Sequence, residues 1–276
     1  GSAASIAATD RARAHYFQRP DRSASPGGFF DASYDTLAPA LRGSGFSPRV
    51  AKDNGSWLWE IAQNWRSPGF EVNDLAYLDR ADYQWMNANL GHQWTVPTTW
   101  YRNISTIVGG QQQFSYDGLR TDAQVQAFYA MQFTNYWNLR TFWIYHPTVD
   151  DDRLTRGGPA VKRTGYDLRH FEVSTDARGR AVLDMSVEVA HGVDSPTRTL
   201  TLQPGTAFKP ISSVFVQLSP TFQKDETPAQ YVTTVPDSTA IAFFGNRYVC
   251  AYIKTRTMSL DTRINWTFSP NLTLQL

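Results

Sequence analysis

The sequence predicts an all-β protein, and within that class an antiparallel up-and-down transmembrane β-barrel, on three observations. Apolar and polar residues alternate with period two along most of the chain, broken by clusters of Gly, Pro, Asn and Asp, and helical spacing is hard to find. Aromatic residues reach 14% against only 18% charged, and Trp and Tyr recur at predicted strand ends, as in the aromatic girdle of a membrane wall. The polar faces carry Asn, Gln, Thr and Ser more than Lys and Glu, whereas a water-facing surface is usually more charged.

The elements follow from that alternation. Segment 1–55 is rich in Ser, Gly, Ala and Pro and reads as loop, with two short strands around 14–18 and 28–36. Over 56–65, Trp57, Trp59, Ile61 and Trp65 share one face, and Leu58, Glu60, Ala62 and Asn64 the other. Over 86–96, Met86, Ala88, Leu90, Trp94 and Val96 oppose an amide-rich face of Asn87, Asn89 and Gln93. After the Asp117-Gly118 turn, Val125 to Phe133 and then Trp137 to Tyr145 form a hairpin reversing at Thr134-Asn135. Over 181–190 the aliphatics Leu183, Met185, Val187 and Val189 oppose Asp184, Ser186 and Glu188. Ile264, Trp266 and Phe268 lead through Ser269-Pro270-Asn271 into Leu272, Leu274 and Leu276.

Tight connections are expected at Thr175 to Gly179 and Ser269 to Asn271, and long polar ones over 146–163 and 219–229, the two size classes of a membrane barrel. The chain reads as one barrel domain over 1–276, loop-rich over 1–55, with its main strand region over 56–276. The same alternation also suits a soluble β-sandwich or jelly roll, in which the apolar faces meet in a core.

Composition narrows the partners. The net charge is +1, so no global field attracts nucleic acid, and none is expected as a partner. No run of about 18 apolar residues is present to span a bilayer as a helix, a test that barrel strands escape because they alternate. Cys250 is the single cysteine, which excludes an internal disulfide; it lies in an apolar run that suits a small buried residue.

Few constellations carry chemistry. Glu71, Asp74, Asp79, Arg80 and Asp82, with Asn73 among them, concentrate charge beside a Pro-Gly turn. They suit a ligand or cation site, or a hydrogen-bonded network bracing the lumen or a loop base. Asp150-Asp151-Asp152 offers oxygen ligands for Ca²⁺, without the spacing of a dedicated calcium loop, and otherwise reads as a solvated acidic loop. No other cofactor is expected. Arg156 beside Gly157-Gly158 places a planar cation next to flexible backbone that an anion or sugar hydroxyl can approach, or that folds tightly into the barrel mouth. Trp57, Trp59, Trp65, Trp85 and Trp94 suit membrane anchoring or sugar stacking. The five His residues form no metal-binding pair, and no nucleophile, zinc or phosphate-loop motif is found, so no enzyme activity is expected.

The run Ser67-Pro68-Gly69-Phe70-Glu71-Val72-Asn73-Asp74-Leu75, followed by Leu78-Asp79-Arg80-Ala81-Asp82, resembles a hallmark of a family of bacterial outer-membrane β-barrels of unknown function. Thr155-Arg156-Gly157-Gly158-Pro159, Gln230-Tyr231-Val232, Gly245-Asn246-Arg247-Tyr248 and the stretch from Arg263 to Pro270 resemble it in the same order. The resemblance runs from about residue 14 to the end. It implies a lipid bilayer as partner and the bacterial outer membrane as location. Members usually carry an N-terminal domain like the family-9 carbohydrate-binding modules, and continue with strands beyond a segment like Asn271 to Leu276. The resemblance therefore implies a small glycan or peptide as ligand, and a partner chain or further segments completing the wall. Two other readings stand beside it: a soluble carbohydrate-active or carbohydrate-binding module using pairs such as Asp184 with Glu188 or Glu71 with Asp74, and a structural anchor or complex subunit in the outer membrane.

Overall fold

A computed structural model describes residues 19–22, 42–72, 77–269 and 271–276. The expected strands around 14–18 and 28–36 lie outside them. The described chain is all-β: fifteen strands and one 3₁₀ turn, Ile241–Phe243, without an α-helix.

Thirteen strands form one antiparallel sheet. Its backbone is a meander of β3 (Trp57–Arg66), β4 (Tyr83–Trp94), β5 (Tyr101–Phe114), β6 (Arg120–Phe133) and β7 (Asn138–His146). It continues with β10 (Tyr166–Ser174), β11 (Ala181–Gly192), β12 (Arg198–Ile211), β13 (Val214–Pro236), β14 (Asn246–Ser269) and β15 (Leu272–Gln275). β1 (Gly45–Phe46) and β2 (Arg49–Lys52) both pair with β3, Phe46 opposite Trp65 and Arg49 opposite Ala62, and so form one edge strand interrupted at Ser47-Pro48. Proline is tolerated there because an edge strand has one side without ladder bonds; the Pro48 carbonyl still accepts from the Gln63 amide at 3.0 Å. The remaining pair, β8 (Val149–Asp151) and β9 (Val161–Arg163), is a separate small hairpin.

Register carries the two-faced alternation across the whole sheet. Trp59 faces Leu90, Leu90 faces Val108, Val108 faces Ala127, and Ala127 faces Trp143. Further along, Phe171 faces Val187, Val187 faces Leu202, Leu202 faces Phe222, and Phe222 faces Met258. One face is thus apolar over its middle. The other carries Glu60, Asn89, Gln126, His170, Glu188, Thr201, Gln223 and Thr257. Among the described residues no second layer covers the apolar face: Ile61, Val108 and Leu260 are 56%, 53% and 62% exposed. Apolar burial is confined to a few residues, with Leu78 and Ala81 packed against Phe70 and Val72 between β3 and β4.

Two expectations are corrected. Residues 219–229 are not a connection: they lie inside β13, paired with β12 from Phe222 to Glu226 and with β14 from Ser219 to Thr227. Their charged, proline-bearing composition suggests a loop, yet Thr221, Gln223 and Asp225 still alternate with Phe222, Lys224 and Glu226, and pairing on both sides outweighs local propensity. Pro220 stands opposite Leu260 and sits where the β12–β13 ladder is interrupted, between Leu202–Phe222 and Thr206–Leu218; Pro228 falls at a register shift. Cys250, expected to be buried, is exposed on β14.

The connections divide by end. One end carries 67–82, 115–119, 147–165, 193–197 and 237–245; the other has 53–56, 95–100, 134–137, 175–180, 212–213 and the turn before β15. At the first end β13 and β14 run on as a two-stranded arm, whose register shifts at Thr227 to Gln230 and Tyr231 to Thr233 bend it. At 23 residues β13 spans about 75 Å, far more than the roughly 10 residues a tilted membrane strand needs.

Candidate functional site

The polar face is built in zones. On β4 to β6 it is a ladder of neutral amides, because Asn87, Gln111 and Gln124 fall opposite one another in register. Gln126 donates to Asn89 at 3.0 Å and Asn89 to Asn87 at 2.7 Å; Gln124 bonds Gln126, and Gln111 donates to Asp122 at 2.9 Å. The Asn89–Gln126 bond crosses over β5, which is possible only because Gly109 stands between them. A Cβ there would lie 2.0 Å from Asn89 Oδ1 and 2.5 Å from the Ala88 carbonyl.

On β7, β10 and β11 the same face turns charged. His170 stacks on Phe142 at 4.5 Å, with Glu188 3.7 Å from one ring nitrogen and Glu172 3.9 Å from the other; Arg140 approaches Glu172 at 3.6 Å. Asp184 and Glu188 both lie on this face of β11, as their spacing requires. On β12 to β14 the face is dominated by hydroxyls such as Thr199, Thr201, Thr255 and Thr257.

Over one end of that face the long connections fold together. Arg80 meets Asp152 through two hydrogen bonds, 3.2 and 2.6 Å. Arg22 meets Asp82 at 2.6 and 3.3 Å, and Asp82 also accepts from the Tyr116 amide at 3.1 Å. Arg19, 1% exposed, bonds Asp117, contacts Asp21 at 3.1 Å and approaches Asp152 at 3.8 Å. Burial alone would raise the Asp117 carboxyl, but the Ser115 hydroxyl and the Arg19 and Arg22 guanidinium groups outweigh it and hold the group below the usual carboxylate range. Burial likewise disfavours the Arg19 cation, and Asp117, Asp21 and Asp152 more than restore it.

The 147–165 connection also crosses the polar face. Arg163 lies 3.6 Å from Asp122 and donates to the Thr121 carbonyl at 3.3 Å on β6, while Arg156 sits 4.4 Å over the Tyr231 ring of β13. Gly158 presses on β14, where a Cβ would lie 2.2 Å from the Tyr248 ring. A flat sheet would hold β6 and β13 roughly 24 Å apart.

Of the residues singled out from sequence, Arg80, Asp82 and Asp152 come together in this buried network, each engaged by other protein groups. Asn73 and Asp74 lie outside the described residues, and Glu71 is exposed. The three consecutive aspartates diverge: Asp150 pairs with Lys162 at 2.6 Å, Asp151 accepts the Arg153 and Leu154 amides at 2.9 and 2.8 Å, and Asp152 takes Arg80. No group of three or more potential metal ligands occurs among the described residues. Trp57, Trp59, Trp65 and Trp94 lie on the apolar face and Trp85 on the polar one.

A family model described as a domain of unknown function, DUF5916, matches residues 20–276. The chain belongs to that family. No curated protein and no solved structure matches it. The DUF5916 match takes in every described strand and the Pro20-Asp21-Arg22 segment, so the buried ion network lies within the domain, apart from Arg19 at its margin. Arg19, Arg22 and Asp117 escaped sequence reasoning. The only local signals were the Arg-Pro-Asp-Arg run at 19–22 and the Ser115-Tyr116-Asp117-Gly118 turn, neither of which names a distant partner.

Proposed function

We propose that this chain forms wall of a bacterial outer-membrane β-barrel whose polar face lines a passage or binding surface for a small neutral polar ligand, a glycan or peptide. The observation that carries the reading is the apolar face. It runs across successive strands in register, stays exposed with no covering layer among the described residues, and is opposed by a face that carries amides, hydroxyls and paired charges together with a few apolar side chains such as Phe142 and Ile144. In water such a continuous apolar surface is a liability for aggregation; in lipid it is the required exterior. The longest connections, 67–82 and 147–165, lie at one end, and this fits the same architecture together with the meander order. The amide ladder on β4 to β6 offers neutral donors and acceptors suited to sugar hydroxyls or peptide groups rather than to ions.

The test is gel mobility before and after boiling, together with detergent partition, on the protein with its native flanks. Solubility that depends on detergent, with a boiling-dependent shift, supports the barrel. A freely soluble monomer without a shift sinks it and returns attention to Asp184 and Glu188 as a soluble carbohydrate site. Conductance in planar bilayers then separates a passage from a structural anchor, which would conduct no more than background.

A further inference from the structure

The tip of the 147–165 connection holds a strained arginine over an aromatic platform. Arg156 has φ 53, a left-handed conformation unfavourable for a residue with a Cβ, and Gly157 follows at φ 95. Strain of this kind persists only where the surrounding contacts over-determine it. Its guanidinium lies 4.4 Å over the Tyr231 ring, and Tyr231 is itself fixed by a 2.9 Å hydrogen bond between its hydroxyl and that of Thr234. Gly158, pressed against Tyr248, seats the tip on the arm. Among the described residues no carboxylate pairs with Arg156. Beneath it a cavity of about 550 Å³ is lined by Asp151, Arg153, Arg156, Gln230 and Tyr231. Asp151 faces this cavity with one oxygen already accepting two backbone amides. Arg153 donates to the Asp79 carbonyl at 3.0 Å, so the guanidinium that borders the space without a carboxylate is that of Arg156.

We propose that this cavity binds an oxyanion, a carboxylate or phosphate group of a small ligand, gripped by the planar fork of Arg156 with Tyr231 fixing its orientation. The size lies within the range of small-molecule pockets. The site stands on the local geometry of tip and arm and does not require the sheet to span a membrane.

Calorimetric titration of the full chain with inorganic phosphate and, separately, glucuronate, each against chloride at matched ionic strength, tests it. Saturable binding of either probe is expected, glucuronate alone pointing to a carboxylate source and phosphate alone to a phosphate one. Arg156→Gly relieves the backbone strain, so it should melt no lower than the parent while binding at least about tenfold more weakly, as loss of a charge-assisted hydrogen bond predicts. If that variant does not fold, Arg156→Asn, which also tolerates the left-handed region, takes its place. No saturable binding of either probe, or unchanged affinity in the folded variant, overturns the proposal.

Discussion

Arg80 and Asp152 form a two-pronged pair, 3.2 and 2.6 Å, that ties the connection between β3 and β4 to the connection between β7 and β10, with both side chains largely buried. The pair couples elements that the sheet itself keeps three strands apart. It works together with Arg19 and Asp117 to turn separate loops into one packed cap.

Breaking that pair from one side leaves a buried charge without its partner. Arg80→Ala or Asp152→Asn should destabilise the protein by about 3–5 kcal/mol, whereas Arg80→Met with Asp152→Leu should recover most of the loss. Thermal and denaturant melts of the three variants check this; equal melting of parent and single variants would mean the cap contributes nothing to folding.

The Asp117 carboxyl, held low in the fold, makes stability depend on acid. In the unfolded chain it protonates near pH 3.9, while in the folded chain it keeps its charge to a lower pH, so between those values the unfolded state binds the extra proton. Its contribution is present above about pH 4 and is lost as pH falls through the depressed folded value. Asp117→Asn should therefore narrow the drop in melting temperature between pH 5 and the acid limit, roughly in that window. An acid profile identical to the parent's would remove Asp117 from the account.

Gly109 is the gap through which Asn89 reaches Gln126. Gly109→Ala forces its methyl against the Asn89 amide and the Ala88 carbonyl and should cost about 1–3 kcal/mol. Adding Asn89→Ala should restore only part of this, because the backbone carbonyl stays 2.5 Å from the new Cβ. Full restoration in the double variant would place the whole clash on the side chain.

Much of the sheet was legible in the sequence because period two is a local signal: Trp57 to Trp65 and Leu183 to Val189 assign their own faces without any partner. The β13 stretch around Lys224, Asp225 and Glu226 was not, since turn-like composition masked an alternation that cross-strand pairing to Thr199 and Thr255 enforces. The ion network was half legible. Arg80, Asp82 and Asp152 stood out as charge clusters, but Arg19 and Asp117 lie 98 residues apart and no spacing rule joins them. Gly109 has no signal of its own in the sequence, because its reason is a side chain on the neighbouring strand.

Val108 separates the membrane reading from any soluble one. It sits mid-strand on β5, between Leu90 and Ala127 on the apolar face, and is 53% exposed. If that face meets water, Val108→Lys is a surface change worth no more than about 0.5 kcal/mol either way. If it meets the hydrocarbon layer, a Lys at this depth costs about 2–4 kcal/mol. Ser105, on the same strand but the polar face, is the control, since Ser105→Lys places its charge on the side opposite Val108. Unfolding in lipid vesicles should therefore show a large penalty for Val108→Lys and a small one for Ser105→Lys. Equal, small penalties would mean that the apolar face is not lipid-facing and would shift the search to a soluble partner that covers it.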